Sequence, residues 1–385
     1  MEENRKNPLN KTVLSLGLVS FFADVASEML YPITPIFLTT VLGASMASVG
    51  LVEGLAEAIA SLLKTYSGVW SDSISKRKPF IVLGYFMAAI AKPIIGVATS
   101  WTHVLGARAF DRAGKGIRTA PRDALLADSV ESTNRGAAFG WHRAMDTAGA
   151  AVGPLFALLL LSQDPSNLRP LFVWALLPGL LAVAVLFFIH EPPANTKKTN
   201  SWVNPLKNFR ILNADFKKYL LAWGLFSIAN SSDVFLLLKA KSAGMTTASL
   251  ILVYCLYNLI YAFSSPYFGK LSDKMDRRKV LMMGLAVFAA VYLGFGFVLM
   301  TWQYWALFGV YGLYMGATDG VGKALAIDLV PSDAKATAVG ILGTVTGLCT
   351  IVASVVAGLL WDHVGSTSTF LYGAIGAVVS FVLLY

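Results

Sequence analysis

Apolar residues in this chain come in long unbroken runs, with neither the alternation of surface strands nor the narrow stripe of amphipathic helices. LFVWALLPGLLAVAVLFFI (171–189) and VLMMGLAVFAAVYLGFGFVLM (280–300) are typical. As helices, such runs are long enough to cross a hydrocarbon core of ~30 Å. Polar breaks divide the chain into twelve expected spans, at 12–42, 46–70, 79–99, 102–127, 136–161, 171–189, 219–238, 247–268, 280–300, 303–329, 337–360 and 369–385. A helix satisfies its own backbone in lipid, so the pattern predicts an all-α polytopic membrane protein. MEENRKNPLNK leads into the first run without a small-residue cleavage site, so span 1 is read as a retained helix. The last run stops at Tyr385 with no polar tail, as a truncated chain would.

Composition agrees. Of 385 residues, 56% are hydrophobic and 14% charged, against about a quarter charged in a soluble domain. Mean hydropathy is +0.63. The net charge of +9 is not a nucleic-acid footprint, because the basic residues fall in loops between spans. Arg5, Lys6 and Lys11, then Lys76, Arg77 and Lys78, lie on one side, followed by Lys197, Lys198, Lys207, Arg210, Lys217 and Lys218. Lys270, Lys274, Arg277, Arg278 and Lys279 join them, while the other side carries Arg169, Lys239 and Lys241. The positive-inside rule then places both termini in the cytoplasm of a multi-pass protein of the inner (plasma) membrane. The expected domains are a bundle at 1–190, a cytoplasmic connector at 191–218 and a second bundle at 219–385. Cys255 and Cys349 are far apart and within spans, so neither a disulfide framework nor a thiolate metal site is expected.

The two bundles repeat each other. GVWSDSISKRK (68–78) returns as GKLSDKMDRRK (269–279), with Asp72 and Asp273 separated by 201 positions. ADSVESTNRGAAFG (127–140) aligns with IDLVPSDAKATAVG (327–340) at an offset of 200. Parallel halves with a site between them are a secondary-transporter plan. On these residues the whole chain resembles a major facilitator superfamily transporter. The family's loop between helices 2 and 3 is matched by Gly68, Asp72, Arg77 and Lys78, and again by Gly269, Asp273, Arg277 and Arg278; Ser75 and Asp276 stand at its second glycine. The resemblance implies twelve transmembrane helices in two pseudo-symmetric six-helix bundles and charge contacts at these loops that latch one gating state. A plain positive-inside loop would explain the basic residues but not the repeated Gly-x-x-Ser-Asp.

Span 4 is the exception to the apolar rule. DRAGKGIRTAPRDALLAD (111–128) lacks the first glycine of a phosphate loop, Ala109 standing in its place. On a helical wheel Arg108, Asp111, Arg112, Lys115, Arg118, Thr119, Arg122 and Asp123 share an arc of about 140°. Ionisable groups in a span cost ~2.5–3.5 kcal/mol each, so this face should meet water or partners. The partners on offer are Asp24, Glu28 and Tyr31 in span 1, Glu53 and Glu57 in span 2, and His142, Arg143 and Asp146 in span 5. The second half offers Asn230 and Asp233 in span 7 and Asp319 and Lys323 in span 10. Lys92 in span 3 is expected to snorkel. In the family, helices 1, 4, 7 and 10 line the cavity, and Arg112-Ala-Gly-Lys115-Gly116 resembles its Arg-x-x-Gln-Gly proton-coupling motif with lysine for glutamine.

Proton-coupling candidates are thus Asp24, Glu28, Glu53, Glu57, Asp146, Asp233 and Asp319, with structural pairing as the alternative role for each. Substrate-binding candidates are Tyr31, Arg108, Arg112, Lys115, Arg118, Arg122, His142, Asn230 and Lys323; His142 also reads as a hydrogen-bonded packing residue. Gly140, Gly149, Gly153 and Pro154 in span 5 match the spacing that the family associates with antiporters, and also suit ordinary close helix packing. From Arg108 to Arg122, five basic residues face Asp111 alone, which points to an anionic or zwitterionic solute. The expected function is proton-coupled antiport or efflux of such a solute by alternating access, by a monomer in the bilayer. No cofactor, metal or nucleic-acid partner is expected, the proton gradient being the driving force. Symport, organic-anion exchange, or a non-transporting receptor on the same fold are the alternatives; no arrangement of enzymatic groups is evident.

Overall fold

The computed structural model describes residues 9–74, 76–131, 134–164, 167–189, 191, 213–298, 300–330 and 335–385. Arg5, Lys6, Ser75 and positions 192–212 of the expected connector lie outside the described residues, as does the side chain of Asp72. Every regular element among the described residues is helical.

The first half holds α1 (Lys11–Glu28), α2 (Ile33–Ile36) running into a π-helical turn (Phe37–Val41), α3 (Met46–Ile74), α4 (Lys78–Gly96), α5 (Trp101–Asp128), α6 (Arg135–Leu161), α7 (Arg169–Trp174) and α8 (Leu176–Phe187). The second holds α9 (Ala214–Ala229), α10 (Val234–Ser242), α11 (Thr247–Lys274), α12 (Arg277–Phe297), α13 (Thr301–Asp328), α14 (Lys335–His363) and α15 (Ser366–Leu384). Counting α1–α2, α7–α8 and α9–α10 as one span each gives the twelve expected. Ten are long and apolar enough to cross a membrane by composition. The other two, α5 and α13, reach 28 residues each but are too polar, the first through its charges, the second through its tyrosines, Asp319 and Lys323.

Two compact units form, one from 1–37 with 59–202 and one from 38–58 with 203–385. Residues 38–58, expected within the 1–190 bundle, thus cluster with the later residues. In that unit Gly50 and Gly54 lie against the backbone of Ser354 and Ile351, and Asp362 accepts hydrogen bonds from Met46 N (3.0 Å) and Ala47 N (2.8 Å) at the start of α3.

The internal packing of the two units is the same plan. In the first, α1 packs on α6 and α8, and α4 on α5 and α8; in the second, α9 packs on α14 and α15, and α12 on α13 and α15. A capping device is duplicated too. Asn10 Oδ1 accepts from Thr12 N and Val13 N while its amide donates to Ser129 O at 2.7 Å. Asn213 Oδ1 accepts from Phe216 N while its amide donates to Leu329 O at 2.6 Å. Each asparagine satisfies orphan donors of its own helix and ties that start to the end of the span-4 or span-10 helix.

Two expected spans are broken. Span 1 leaves α-helical geometry at Met29–Pro32, and span 7 at Asn230–Asp233, again 201 positions apart. At the first break Pro32 and Pro35 each lack an N–H donor. At the second, Asn230, Ser231, Ser232 and Asp233 are short polar side chains that compete with the helix for backbone partners; Ser232 N turns to Ser354 Oγ at 3.2 Å. Irregular backbone at membrane depth persists only where protein or a wet cavity surrounds it.

Candidate functional site

The break in span 1 opens onto a charged cavity inside the first unit. From α1 and the break come Asp24, Ser27, Glu28, Leu30 and Tyr31; from α4, Lys92 and Ile95; from α5, Arg108, Asp111, Arg112, Lys115 and Arg118. The volume is about 50 Å³, room for about three or four waters or one carboxylate- or phosphate-sized group. Larger grooves beside Phe86 and Trp174 are open and mostly apolar. Five basic and three acidic side chains line the small cavity, a formal excess of two positive charges.

Its cations are held in place. Lys92 does not snorkel: it is 4% exposed, donates to Ala88 O at 2.8 Å, and its Nζ lies 3.7 Å from Asp111. An ammonium on the buried face of α4 is retained because α5 presents that carboxylate to it. Arg108 lies 3.8 Å from the other oxygen of Asp111. Arg118 is buried, with its guanidinium carbon 3.8 Å from the centre of the Tyr85 ring, a cation–π contact worth ~0.5–2 kcal/mol. Its Nε makes no hydrogen bond among the described residues.

Arg122 and His142 are not brought to this cavity. Arg122 turns to Asp123 (2.8 Å) and the Tyr85 hydroxyl (3.5 Å), so the expectation that Asp111 alone answers five cations fails: Asp123 answers one of them. His142 Nδ1 is 3.5 Å from Asp146, which accepts a hydrogen bond from the Ser20 hydroxyl. Asp146 therefore ties α6 to α1. Gly149 and Gly153 bring α6 up to the α1 backbone at Phe21 and Val25 and to the Cβ of Asp24; Gly140 faces open space. Pro154 sits inside α6.

In the second unit, Asp233 at the span-7 break accepts from the hydroxyls of Tyr311 (2.6 Å) and Tyr257 (3.3 Å). The amide of Asn230 lies 3.4 Å from the Tyr314 hydroxyl. Asp319 pairs with Lys323 at 2.6 Å and accepts from Tyr261 at 2.8 Å. Glu53 is buried and Glu57 exposed, both on the part of α3 that belongs to this unit.

The repeated loops make matching contacts. Arg77 pairs with Asp128, and Arg277 with Asp328 (2.6 Å) and Asp273 (3.0 Å). Gly68 packs on Ala120, while Gly269 has open space. Lys78 donates to Ile189 O at 2.7 Å, and Arg278 N to Asp276 at 2.9 Å. Asp111, Lys92, Asp128 and Asp328 were absent from the sequence-derived candidates. The first two showed in the sequence as ionisable residues within spans, and the last two as equivalent places in the aligned segments 127–140 and 327–340.

The sequence model described as Major Facilitator Superfamily matches residues 16–254 and 219–385. The chain belongs to the Major Facilitator Superfamily. An MFS-type transporter of Methanocaldococcus jannaschii, itself uncharacterized, is 37% identical over 392 residues, covering 100% of this chain and 97% of that relative. A homologue of the multi-drug resistance efflux pump PmrA in Lactococcus lactis subsp. lactis is 24% identical, covering 94% and 92%. Among solved structures, a variant of the nucleoside transporter NupG superposes with a TM-score of 0.81 at 15% identity, covering 97% of this chain and 98% of that one. At that identity the likeness is one of fold: twelve transmembrane helices in two pseudo-symmetric bundles. The protein is a multi-pass membrane transporter of the superfamily.

Proposed function

We propose that this transporter moves a small organic solute bearing an anionic group, exchanging it against protons in the direction of export. The observation that carries the reading is the cavity between α1, α4 and α5, where five cations converge on a space sized for one carboxylate or phosphate group. The lining cations outnumber the lining carboxylates, which favours an incoming anion, and helices carry all five of them. Asp24 and Glu28 line the same cavity and are the groups that exchange protons with the cycle. The glycine spacing of α6, together with the printed name of the Lactococcus lactis relative, supports export.

The test uses the purified full-length chain in proteoliposomes with an imposed pH gradient. Radiolabelled inorganic phosphate, succinate and benzoate are the probes. At least one should move against the proton flux, and the coupling should fall in Asp24→Asn or Glu28→Gln. Unchanged coupling in both variants removes these carboxylates from the proton path. Movement with the protons would reverse the direction, and no movement of any probe would remove the anion.

A further inference from the structure

The anion-binding reading leaves one lining residue without a role. Asp111 is a carboxylate inside a cavity built of cations, and it lies on α5 itself, between Arg108 and Arg112 in sequence. Its two oxygens face different helices' cations: one is 3.7 Å from Lys92 Nζ on α4, the other 3.8 Å from an Arg108 nitrogen on α5. Both distances exceed the hydrogen-bond range of 2.7–3.2 Å. The carboxylate is therefore held by charge and not locked by direct hydrogen bonds to these two groups. Lys92 is anchored independently through Ala88 O, so it stays in place if Asp111 moves. The space of about 50 Å³ beside it holds one carboxylate or phosphate group, but the Asp111 oxygens already face Lys92 and Arg108, so that group takes over these two cations only as Asp111 gives way.

We propose that Asp111 is a built-in competitor for the substrate's anionic group. It neutralises Lys92 and Arg108 before substrate binds; the substrate anion takes over both cations, and Asp111 takes up one proton from water as it is displaced. Charge balances in that exchange: one anion enters, one carboxylate is neutralised, and the cavity's net charge is unchanged. A competitor of this kind reduces apparent affinity by the fraction of time it holds the site, and protonation removes it. Other charged groups face the same space: Arg112, Lys115 and Arg118 from α5, and Asp24 and Glu28 from α1. From α6, Asp146 and His142 are engaged with Ser20 and each other and do not line it. The proposal rests on the anion part of the reading above and not on its direction of exchange: the proton that Asp111 takes up travels with the anion, so net exchange against protons needs Asp24 and Glu28 to return one each.

The experiment titrates the purified full chain with inorganic phosphate, and separately with succinate, at constant ionic strength. Affinity is read from thermal stabilisation, and proton uptake from an indicator dye in weak buffer. Wild type should bind more tightly as pH falls and take up about one proton per anion. Asp111→Asn should bind about tenfold more tightly, lose most of that pH dependence and lose the proton uptake. Asp111→Glu, which keeps a competing carboxylate, should retain weak, pH-dependent binding with uptake. Tight binding to Asp111→Asn with none to wild type also supports competition. If an anion binds wild type without proton uptake, or if Asp111→Asn binds it no better, Asp111 is a structural counter-ion and the proposal fails while the anion reading stands. If neither anion binds either protein, both fall. Should Asp111→Asn not fold, Asp111→Ser, which also lacks the carboxylate, takes its place in the same titrations with the same outcomes.

Discussion

Gly140, Gly149 and Gly153 of α6 share one sequence pattern but predict opposite responses to alanine. A Cβ on Gly153 would lie 2.7 Å from Val25 O and 2.9 Å from Met29 N. Both are backbone atoms of α1 and its break, and neither can swing aside as the end of a side chain could. Restoring ordinary contact near 3.4 Å requires the helices to part by about 0.7 Å. Overpacking of this kind costs ~1–3 kcal/mol. Gly149 is alike, its Cβ falling 2.5 Å from Phe21 O and 3.0 Å from Asp24 Cβ. Gly140 meets nothing within 4 Å, so alanine there should stabilise the helix by ~0.8–1 kcal/mol through backbone entropy alone.

Gly153→Ala and Gly140→Ala should therefore differ by ~2–4 kcal/mol, with opposite signs against wild type. The assay is thermal unfolding of the solubilised chain. At ~2–4 °C per kcal/mol, the scale for domains of 150–250 residues, the separation is several degrees. Transport should follow packing, because Met29 starts the break whose next residue, Leu30, lines the cavity. Equal melting temperatures for Gly153→Ala and Gly140→Ala would refute the claim that α6 is seated on α1 by these glycines. The spacing would then be a matter of composition only.

Two more predictions use the second unit. Asp233→Ala leaves the hydroxyl of Tyr311, a residue 1% exposed, without its acceptor and should destabilise by ~1–3 kcal/mol; Asp233→Asn keeps one acceptor oxygen and should lose less, and a reversed order in thermal melts would refute the account. Asp362→Ala uncaps Met46 N and Ala47 N and should cost ~1 kcal/mol, with Asp362→Asn intermediate in the same melts; an unchanged melting temperature for both would mean water replaces the cap.

The twelve spans were legible because span length and hydrophobicity are set by the bilayer, whatever the neighbours. The repeat was legible at the loops, where Asp72/Asp273 and Arg77/Arg278 keep their type. The breaks at 29–32 and 230–233 were hidden: apolar and small residues run through both, and hydropathy does not register that Pro32 or the Asn-Ser-Ser-Asp run interrupts the backbone ladder. Lys92 was misjudged for a related reason. A helical wheel says which face a residue occupies, but not which helix covers it; α5 covers the face of α4 that bears Lys92 and brings Asp111 to it. The caps made by Asn10 and Asn213 are local, but the ties their amides make to Ser129 O and Leu329 O span about 120 positions, a separation no local pattern reveals.

The offset of 200 that aligns 127–140 with 327–340 also shows where the two units part company. Lys92 corresponds to Tyr292, Arg108 to Phe308, Asp111 to Tyr311 and Arg118 to Thr318. Where the first unit gathers charge around a small cavity, the second stacks rings: Phe288 on Tyr292 at 3.9 Å, with Tyr314 4.8 Å from Phe288 and 5.2 Å from Tyr311. Aromatic pairs at such spacings contribute ~0.5–1.5 kcal/mol each beyond area burial, which makes that region a packed core. Asp233, the half-buried carboxylate at the span-7 break, accepts from tyrosine hydroxyls and forms no ion pair among the described residues. Two halves that share helix pairs, caps, breaks and arginine–aspartate contacts thus differ in the chemistry of one layer. That layer is where an anion can be recognised in the first unit and where the second has exchanged ions for rings. A paired Lys92→Tyr and Asp111→Tyr change would move the first unit toward the second's solution, removing a cation that the proposed transport needs together with the carboxylate that answers it.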